Sequence, residues 1–137
     1  MSTKTKVFGV LGAAVVGIIA LILVLSLRQG EEKTVKIGAI LPMTGSAASY
    51  GKWMHNGISL ALDDINREGG IDGRKLAVVF QDSASDNKVA VNAANKLVSV
   101  DRTRIIETTL TGVTKAVSPI TERNKVILLC SKHAEGH

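Results

Sequence analysis

The residues that could carry chemistry do not form a nucleotide-binding motif. The segment from Gly45 to Lys52 resembles a phosphate-binding loop, but five residues separate its glycines where four are required. Trp53 also stands where such a loop needs a magnesium-binding hydroxyl. No G-x-G-x-x-G pattern follows the first predicted strand, so a dinucleotide site would lack its glycines. The sequence therefore predicts no nucleotide cofactor.

The titratable side chains do not predict a catalytic or metal centre either. Asp63 and Asp64 are neighbours on a predicted helix and point about 100° apart, so they cannot form a general acid–base pair. Asp82 follows a predicted strand, where α/β enzymes often place a carboxylate, but it has no catalytic partner. The histidines lack the paired spacing of a zinc site: His55, His133 and His137. We expect a protein that is not an enzyme and needs no metal or other cofactor.

Cys130 is the single cysteine, so no disulfide can form within the chain. It follows the apolar residues 126–129, which favours a buried, unreactive thiol.

The net charge of +5 does not indicate a nucleic-acid-binding protein. Lys4, Lys6 and Arg28 flank an apolar run, and residues 29–137 hold 14 basic against 12 acidic residues. The few aromatic residues are not interleaved with a basic stripe, as nucleic-acid recognition would require. We expect no nucleic-acid partner.

Residues 7–27 form an uncharged run of 21 residues, long enough for a helix that crosses a bilayer. No small-x-small cleavage site follows it, which favours an uncleaved signal-anchor. The predicted organisation is an anchor at 1–28, a linker at 29–34 and a folded part at 35–137. Lys4 and Lys6 favour a cytoplasmic amino terminus. We expect a single-pass protein of the cell membrane with residues 35–137 on the extracytoplasmic side; the alternative is a secreted or periplasmic protein after signal cleavage.

The remaining sequence alternates between strand and helix patterns. Strands are predicted at 35–41, 75–81, 103–109 and 126–130, and helices at 50–67, 86–99 and 112–124. This alternation is typical of an α/β fold with a doubly wound, flavodoxin-like parallel sheet. The expected strand order is 2-1-3-4, in a sheet that is truncated relative to complete domains of this class.

Ligands of open parallel sheets bind beyond the carboxyl ends of the strands. Those ends are predicted at residues 43–50, 109–113 and 131–134. Hydroxyl groups and helix amino termini there would suit the carboxylate of a small zwitterion. The hydroxyl-bearing residues are Ser46, Ser49, Tyr50, Thr109, Thr111 and Thr114.

Several ordered segments resemble one family. They are VKIGAILPMTG at 35–45, YG at 50–51, ALDDINREGGIDGRKL at 61–76, QDSASD at 81–86, AVNAANKLV at 90–98 and SPI at 118–120. Together they resemble the branched-chain amino-acid-binding proteins, which are extracytoplasmic components of ABC importers with the type I periplasmic-binding fold. The resemblance covers residues 35–130 and corresponds to the first part of one of two lobes.

The resemblance implies a set of ligand-binding residues. Tyr50 corresponds to an aromatic residue that packs on the aliphatic part of the ligand, and Thr111 to a hydroxyl that binds its charged groups. Thr109 and Leu110 would line the pocket, and Gly112 replaces a second serine. Ala134 occupies a position where the family has a threonine after the fourth strand.

The function implied is solute binding for branched-chain-type amino-acid ABC transport, in a chain that we interpret as an incomplete fragment. The expected ligand is a small amino acid or amide, and the partner in full-length relatives is the importer's permease. Binding would act through lobe closure. The alternative is the ligand-sensing ectodomain of a membrane receptor. An enzyme of flavodoxin-like topology is disfavoured, because the chain lacks the required motifs.

Overall fold

A computed structural model of the chain describes residues 34–131. The predicted anchor at 7–27, the boundaries that separate 1–28 from 29–34, and Ala134 lie outside the described residues. No helix between residues 34 and 131 is both long and apolar enough to cross a membrane.

The described residues alternate between strands and helices, as the sequence predicts. The elements in chain order are β1 (Val35–Leu41), α1 (Ala48–Arg67), β2 (Leu76–Asp82), α2 (Asn87–Ser99), β3 (Ile105–Thr108), α3 (Thr111–Arg123) and β4 (Ile127–Cys130).

The four strands form one parallel sheet in the order β2-β1-β3-β4, which confirms the predicted topology. In the register, Val35 of β1 pairs with Leu76 of β2, and Ile105 of β3 pairs with Ile127 of β4. All strands therefore begin at one edge of the sheet, the amino edge, and end at the other, the carboxyl edge.

Strand β3 is shorter than the predicted span 103–109. Arg102 adopts a left-handed backbone with φ of 55°, which turns the chain away from an extended course. Thr103 then donates from its amide and its hydroxyl to the Leu97 carbonyl, at 3.0 and 3.1 Å. Thr103 thus closes the end of α2 instead of joining the sheet.

The main core lies between one sheet face and helices α2 and α3. The Asp86 carboxylate caps α2 by accepting from the amides of Lys88 and Val89. Gly38 lets α2 approach the sheet, because a Cβ there would lie 2.8 Å from a Leu97 methyl group. The buried cluster comprises Ile40, Ala90, Ala93, Ala94, Leu97, Ile106, Val113, Val117, Ile120 and Val126.

The opposite sheet face is only partly covered. Helix α1 packs over β1 and β2, and Gly51 is its one buried residue. A gap of about 220 Å³ remains between α1 and the sheet, with Ile37 and Val78 among its lining residues. Ile127 and Leu129 of β4 are 58% and 49% exposed. The part of this face formed by β4 thus has no cover within residues 34–131.

The expectation of a buried thiol at Cys130 is wrong, because Cys130 is exposed. It ends β4, which is an edge strand, and no described element packs over its outer side. The apolar run before it indicated a strand correctly but could not show that the strand lies at an edge.

Candidate functional site

A cavity of about 310 Å³ opens at the carboxyl edge, between the loop after β1 and the loop after β3. Its lining residues are Ala47, Tyr50, Trp53, Thr109 and Leu110. Three of the residues predicted for the site, Tyr50, Thr109 and Leu110, therefore meet at one cavity. This is where an open parallel sheet is expected to bind a ligand.

Thr109 carries the most informative polar atom of the cavity. The residue is 5% exposed, and its hydroxyl oxygen has no hydrogen-bond partner among the described residues. A buried hydroxyl without a partner costs free energy, commonly about 1–3 kcal/mol, so native structures rarely keep one. Thr109 lines the cavity, so a ligand that reaches this buried oxygen would supply the missing hydrogen bond.

Two helix amino termini meet at the same cavity. Ala47 precedes α1 and Leu110 precedes α3, and neither helix has a side-chain cap. Helix α2, whose cap residue lines none of this cavity, is capped by Asp86. Helix amino termini carry partial positive charge and backbone N–H donors, which favour an anion. The uncapped termini therefore suit a carboxylate.

Aromatic side chains form the apolar wall. Tyr50 is half-buried, and Trp53, one helical turn further along α1, is 72% exposed at the outer rim. The sequence analysis missed Trp53 and Ala47. The i,i+3 spacing from Tyr50 could have indicated Trp53, since residues three apart share a helix face.

Thr111 and Gly112 do not line the cavity. Both are exposed in the first turn of α3, beside it. A Cβ at Gly112 would lie 3.2 Å from the Asn87 side-chain oxygen, so this glycine faces α2. Ala134 lies outside the described residues.

A hydroxyl network fixes the carboxyl ends of β3 and β4 against α3. The Thr108 and Thr114 hydroxyl oxygens are 2.8 Å apart. Thr114 Oγ1 also lies 3.0 Å from the Leu110 carbonyl oxygen and 3.2 Å from Cys130 Sγ. These contacts hold Leu110, and with it the start of α3, in position at the cavity.

Asp82 positions the other side of the cavity, a role that the sequence analysis did not predict. Its carboxylate accepts hydrogen bonds from the amides of Met43, Thr44 and Ala84 and from the Thr44 hydroxyl, at 2.6–3.2 Å. Desolvation opposes ionisation of Asp82, but these four hydrogen bonds outweigh it and lower its pKa. The charged carboxylate therefore ties the loop after β1 to the loop after β2.

Ser85 reinforces this connection. Its hydroxyl accepts from the Ala47 amide at 3.1 Å and donates to the Thr44 carbonyl at 3.2 Å. Ser85 and Ala84 both have left-handed backbones, with φ of 56° and 50°. The start of α1 is thus held from the neighbouring loop and not by a side-chain cap of its own.

The described residues include no group of three or more histidine, cysteine or acidic side chains placed to hold a metal ion.

Comparison with known proteins identifies the family of this fold. The Periplasmic binding protein family profile matches residues 34–137. A Leu/Ile/Val-binding protein from Rhizobium johnstonii is 37% identical over 95 residues, covering 69% of this chain and 26% of that protein. The Leucine-specific-binding protein of Salmonella typhimurium is 35% identical over 113 residues, covering 82% and 31%.

Similar solved structures agree with this family assignment. The branched-chain amino acid transporter substrate binding protein LivJ from Streptococcus pneumoniae, in complex with isoleucine, matches with a TM-score of 0.70 and 34% identity. The match covers 76% of this chain and 30% of that one. The chain thus spans roughly a quarter to a third of the length of these relatives. The family is one of binding proteins, in agreement with the expectation of binding and not catalysis.

Proposed function

The chain belongs to the periplasmic binding protein family, and we propose that it supplies the first part of the amino-terminal lobe of a solute-binding component for branched-chain amino-acid ABC transport. The observation that carries the proposal is a cavity between two uncapped helix amino termini, lined by Thr109, whose buried hydroxyl has no partner among residues 34–131. The named relatives bind leucine, isoleucine or valine, which supports this ligand class.

The cavity can recognise each part of such a ligand. The amino termini of α1 and α3 favour its carboxylate, and the Thr109 hydroxyl can donate to that group. Tyr50 and Trp53 offer aromatic surface to an aliphatic side chain. Thr111, Gly112 and Ala134 remain proposed contacts at the rim, through the first turn of α3 and the segment after β4.

We propose that this cavity binds the ligand and that a second lobe of the complete protein closes over it. The cavity is open on one side and supplies few polar groups, so a second lobe would complete the ligand's hydrogen bonds. The permease of an ABC importer is the proposed partner of the complete protein. The alternative role as a receptor ectodomain is not favoured, because the comparisons describe transport and amino-acid-binding proteins.

Residues 7–27 are proposed to anchor the chain, with residues 35–137 on the extracytoplasmic side. Their uncharged length and the lack of a small-x-small site support an uncleaved anchor. Mass spectrometry of the mature protein tests this proposal. An amino terminus between Ser26 and Lys36 would contradict it and support the periplasmic alternative.

A chimera tests the binding function directly. Residues 34–131 would replace the matching segment of the Salmonella Leucine-specific-binding protein, and leucine binding would be measured by calorimetry. We expect the chimera to bind leucine, and Thr109→Val to raise its Kd about five- to tenfold, as the loss of one hydrogen bond implies.

Ser83→Ala is the matched control for this chimera. The Ser83 hydroxyl is also buried and without a partner among the described residues, but it does not line the cavity. We expect no change in Kd from Ser83→Ala. A folded chimera that does not bind leucine, or equal effects of the two substitutions, would contradict the proposed function.

A further inference from the structure

The amino edge of the sheet is more basic than the carboxyl edge. The connecting segments at the amino edge, 68–75, 100–104 and 124–126, hold five basic and three acidic residues. The segments at the carboxyl edge, 42–47, 83–86 and 109–110, hold one charged residue, Asp86. In the described part of the chain, charged residues are therefore distributed unevenly between the two ends of the strands, with the basic residues concentrated at the amino edge.

Four basic side chains surround a cavity of about 430 Å³ at this edge. They are Lys36, Arg74, Arg102 and Arg104, all exposed, and we call them the basic cluster. None of them forms an ion pair with a residue between 34 and 131. Asp101 also lines the cavity, but its carboxylate already pairs with the Lys96 ammonium at 3.0 Å.

Helix ends do not account for the cluster. Three helices end at the amino edge, and their carbonyl ends attract positive charge. Each already has a basic residue in its last turn: Arg67 in α1, Lys96 in α2 and Arg123 in α3. The basic cluster lies on strands and loops and adds to these three.

Apolar side chains accompany the cluster. Val100 is 70% exposed and lines the same cavity. Ile71 forms an antiparallel β-bridge with Arg74 and is 38% exposed. Exposed apolar groups beside unpaired cations are characteristic of surfaces that lie on lipid headgroups. The combination points to a surface with anionic headgroups and an apolar interior beneath them.

The chain itself brings this edge near a bilayer. Residue 34 lies at the amino edge, and the apolar run ends at residue 27. The seven residues 28–34 can reach at most roughly 25 Å. If residues 7–27 insert as proposed, the amino edge is kept within that distance of the membrane surface. Electrostatic attraction acts over about 8 Å at physiological salt, so docking lies within the reach of this tether.

We propose that the basic cluster, with Val100 and Ile71, is a docking surface for an anionic lipid membrane. The inference rests on the proposed anchor. Docking would place the amino edge on the bilayer and turn the carboxyl edge, with its ligand cavity, away from it. The solute site would then face the extracytoplasmic solution.

Hydrogen exchange on the full chain in lipid nanodiscs tests the proposal. Exchange of residues 71–75 and 100–104 would be compared in phosphatidylcholine discs and in discs that also contain phosphatidylglycerol. We expect exchange in these segments to slow about fivefold or more with the anionic lipid, since one basic side chain near such a surface contributes about that factor. At 1 M salt, where the Debye length is about 3 Å, the difference should disappear.

Charge-reversal variants identify the surface. Arg102→Glu with Arg104→Glu should abolish the protection, and Lys36→Glu with Arg74→Glu provides a second test if the first pair impairs folding. Lys52→Glu with Lys88→Glu, on exposed residues near the carboxyl edge, is the matched control and should leave the protection unchanged. Equal exchange in the two kinds of disc would overturn the proposal. Protection by inorganic phosphate in phosphatidylcholine discs would also overturn it, because the occupant would then be a free anion.

The experiment distinguishes a failure of the proposed anchor from a failure of the proposed docking surface. If the chain does not enter phosphatidylcholine discs, the proposed anchor is wrong. Sedimentation with phosphatidylglycerol vesicles then decides the docking surface: binding that Arg102→Glu with Arg104→Glu removes would support it, and no binding would refute it.

Discussion

Thr109→Val should make the free protein more stable. Valine has nearly the shape of threonine, so the substitution removes the hydroxyl and changes little else. Thr109 is 5% exposed, and its hydroxyl has no partner among residues 34–131. The wild-type residue therefore carries a desolvation cost without a compensating hydrogen bond.

The expected gain follows from that cost. An unsatisfied buried hydroxyl costs about 1–3 kcal/mol, and the open cavity beside Thr109 favours the lower end of this range. We expect the free energy of unfolding to rise by about 1 kcal/mol. For a domain of this size the urea dependence is about 1 kcal/mol per molar, so the unfolding midpoint should rise by roughly 1 M.

Urea unfolding of the full chain in mild detergent, followed by far-ultraviolet circular dichroism, measures this change. Thr103→Val is the matched control, because Thr103 is 2% exposed and its hydroxyl donates to the Leu97 carbonyl at 3.1 Å. That substitution removes a satisfied hydrogen bond and should destabilise the chain by about 1 kcal/mol. If Thr109→Val lowers the midpoint as Thr103→Val does, the Thr109 hydroxyl is not an unpaired group held for a ligand.

Three further predictions concern helix α1, the loops that Asp82 connects and the open cavity. Gly51→Ala should destabilise the chain by about 3 kcal/mol, because a Cβ there would lie 2.1 Å from the Pro42 carbonyl oxygen. A Cβ at Gly57, on the same helix, would meet nothing within 4 Å, so Gly57→Ala should stabilise the chain by about 1 kcal/mol. The two substitutions should therefore shift the urea unfolding midpoint in opposite directions. Asp82→Asn should lower the melting temperature at neutral pH but not in strong acid. The folded pKa of Asp82 is lowered, so its contribution is present above the ordinary value of 3.8 and is lost as pH falls through the folded pKa. Melting curves across this range, with the exposed Asp63→Asn as control, would contradict the assignment if the two variants behaved alike. Finally, calorimetry of the chain itself with leucine, isoleucine and valine should detect weak binding or none, and micromolar affinity would refute the need for a second lobe.

The sequence was a good guide to the fold because the signals of parallel α/β structure are local. Apolar runs mark β1 and β2, and Asp86, the cap of α2, is the first residue of the helix predicted at 86–99. The sequence predictions were wrong where contacts between residues that are separated in the sequence determine the structure. The span of β3 depends on the bond between Thr103 and Leu97, and the exposure of Cys130 depends on the position of β4 at an edge.

The site was predicted only in part, for the same reason. The carboxyl-edge rule and the family resemblance together indicated Tyr50, Thr109 and Leu110, which share the cavity. Trp53 lies at the rim because of the way α1 is rotated about its axis when it packs on the sheet. That rotation cannot be read from the sequence. The role of Asp82 was also missed, because its partners Met43 and Thr44 lie 39 and 38 residues away along the chain.

A crystal structure of the chimera with leucine tests the central claim most directly. We expect the ligand in the cavity at the carboxyl edge, with its carboxylate at the first turns of α1 and α3 and an oxygen within hydrogen-bond distance of Thr109 Oγ1. Its aliphatic side chain should contact Tyr50. Leucine bound elsewhere, or bound here with the Thr109 hydroxyl still unpaired, would contradict the account.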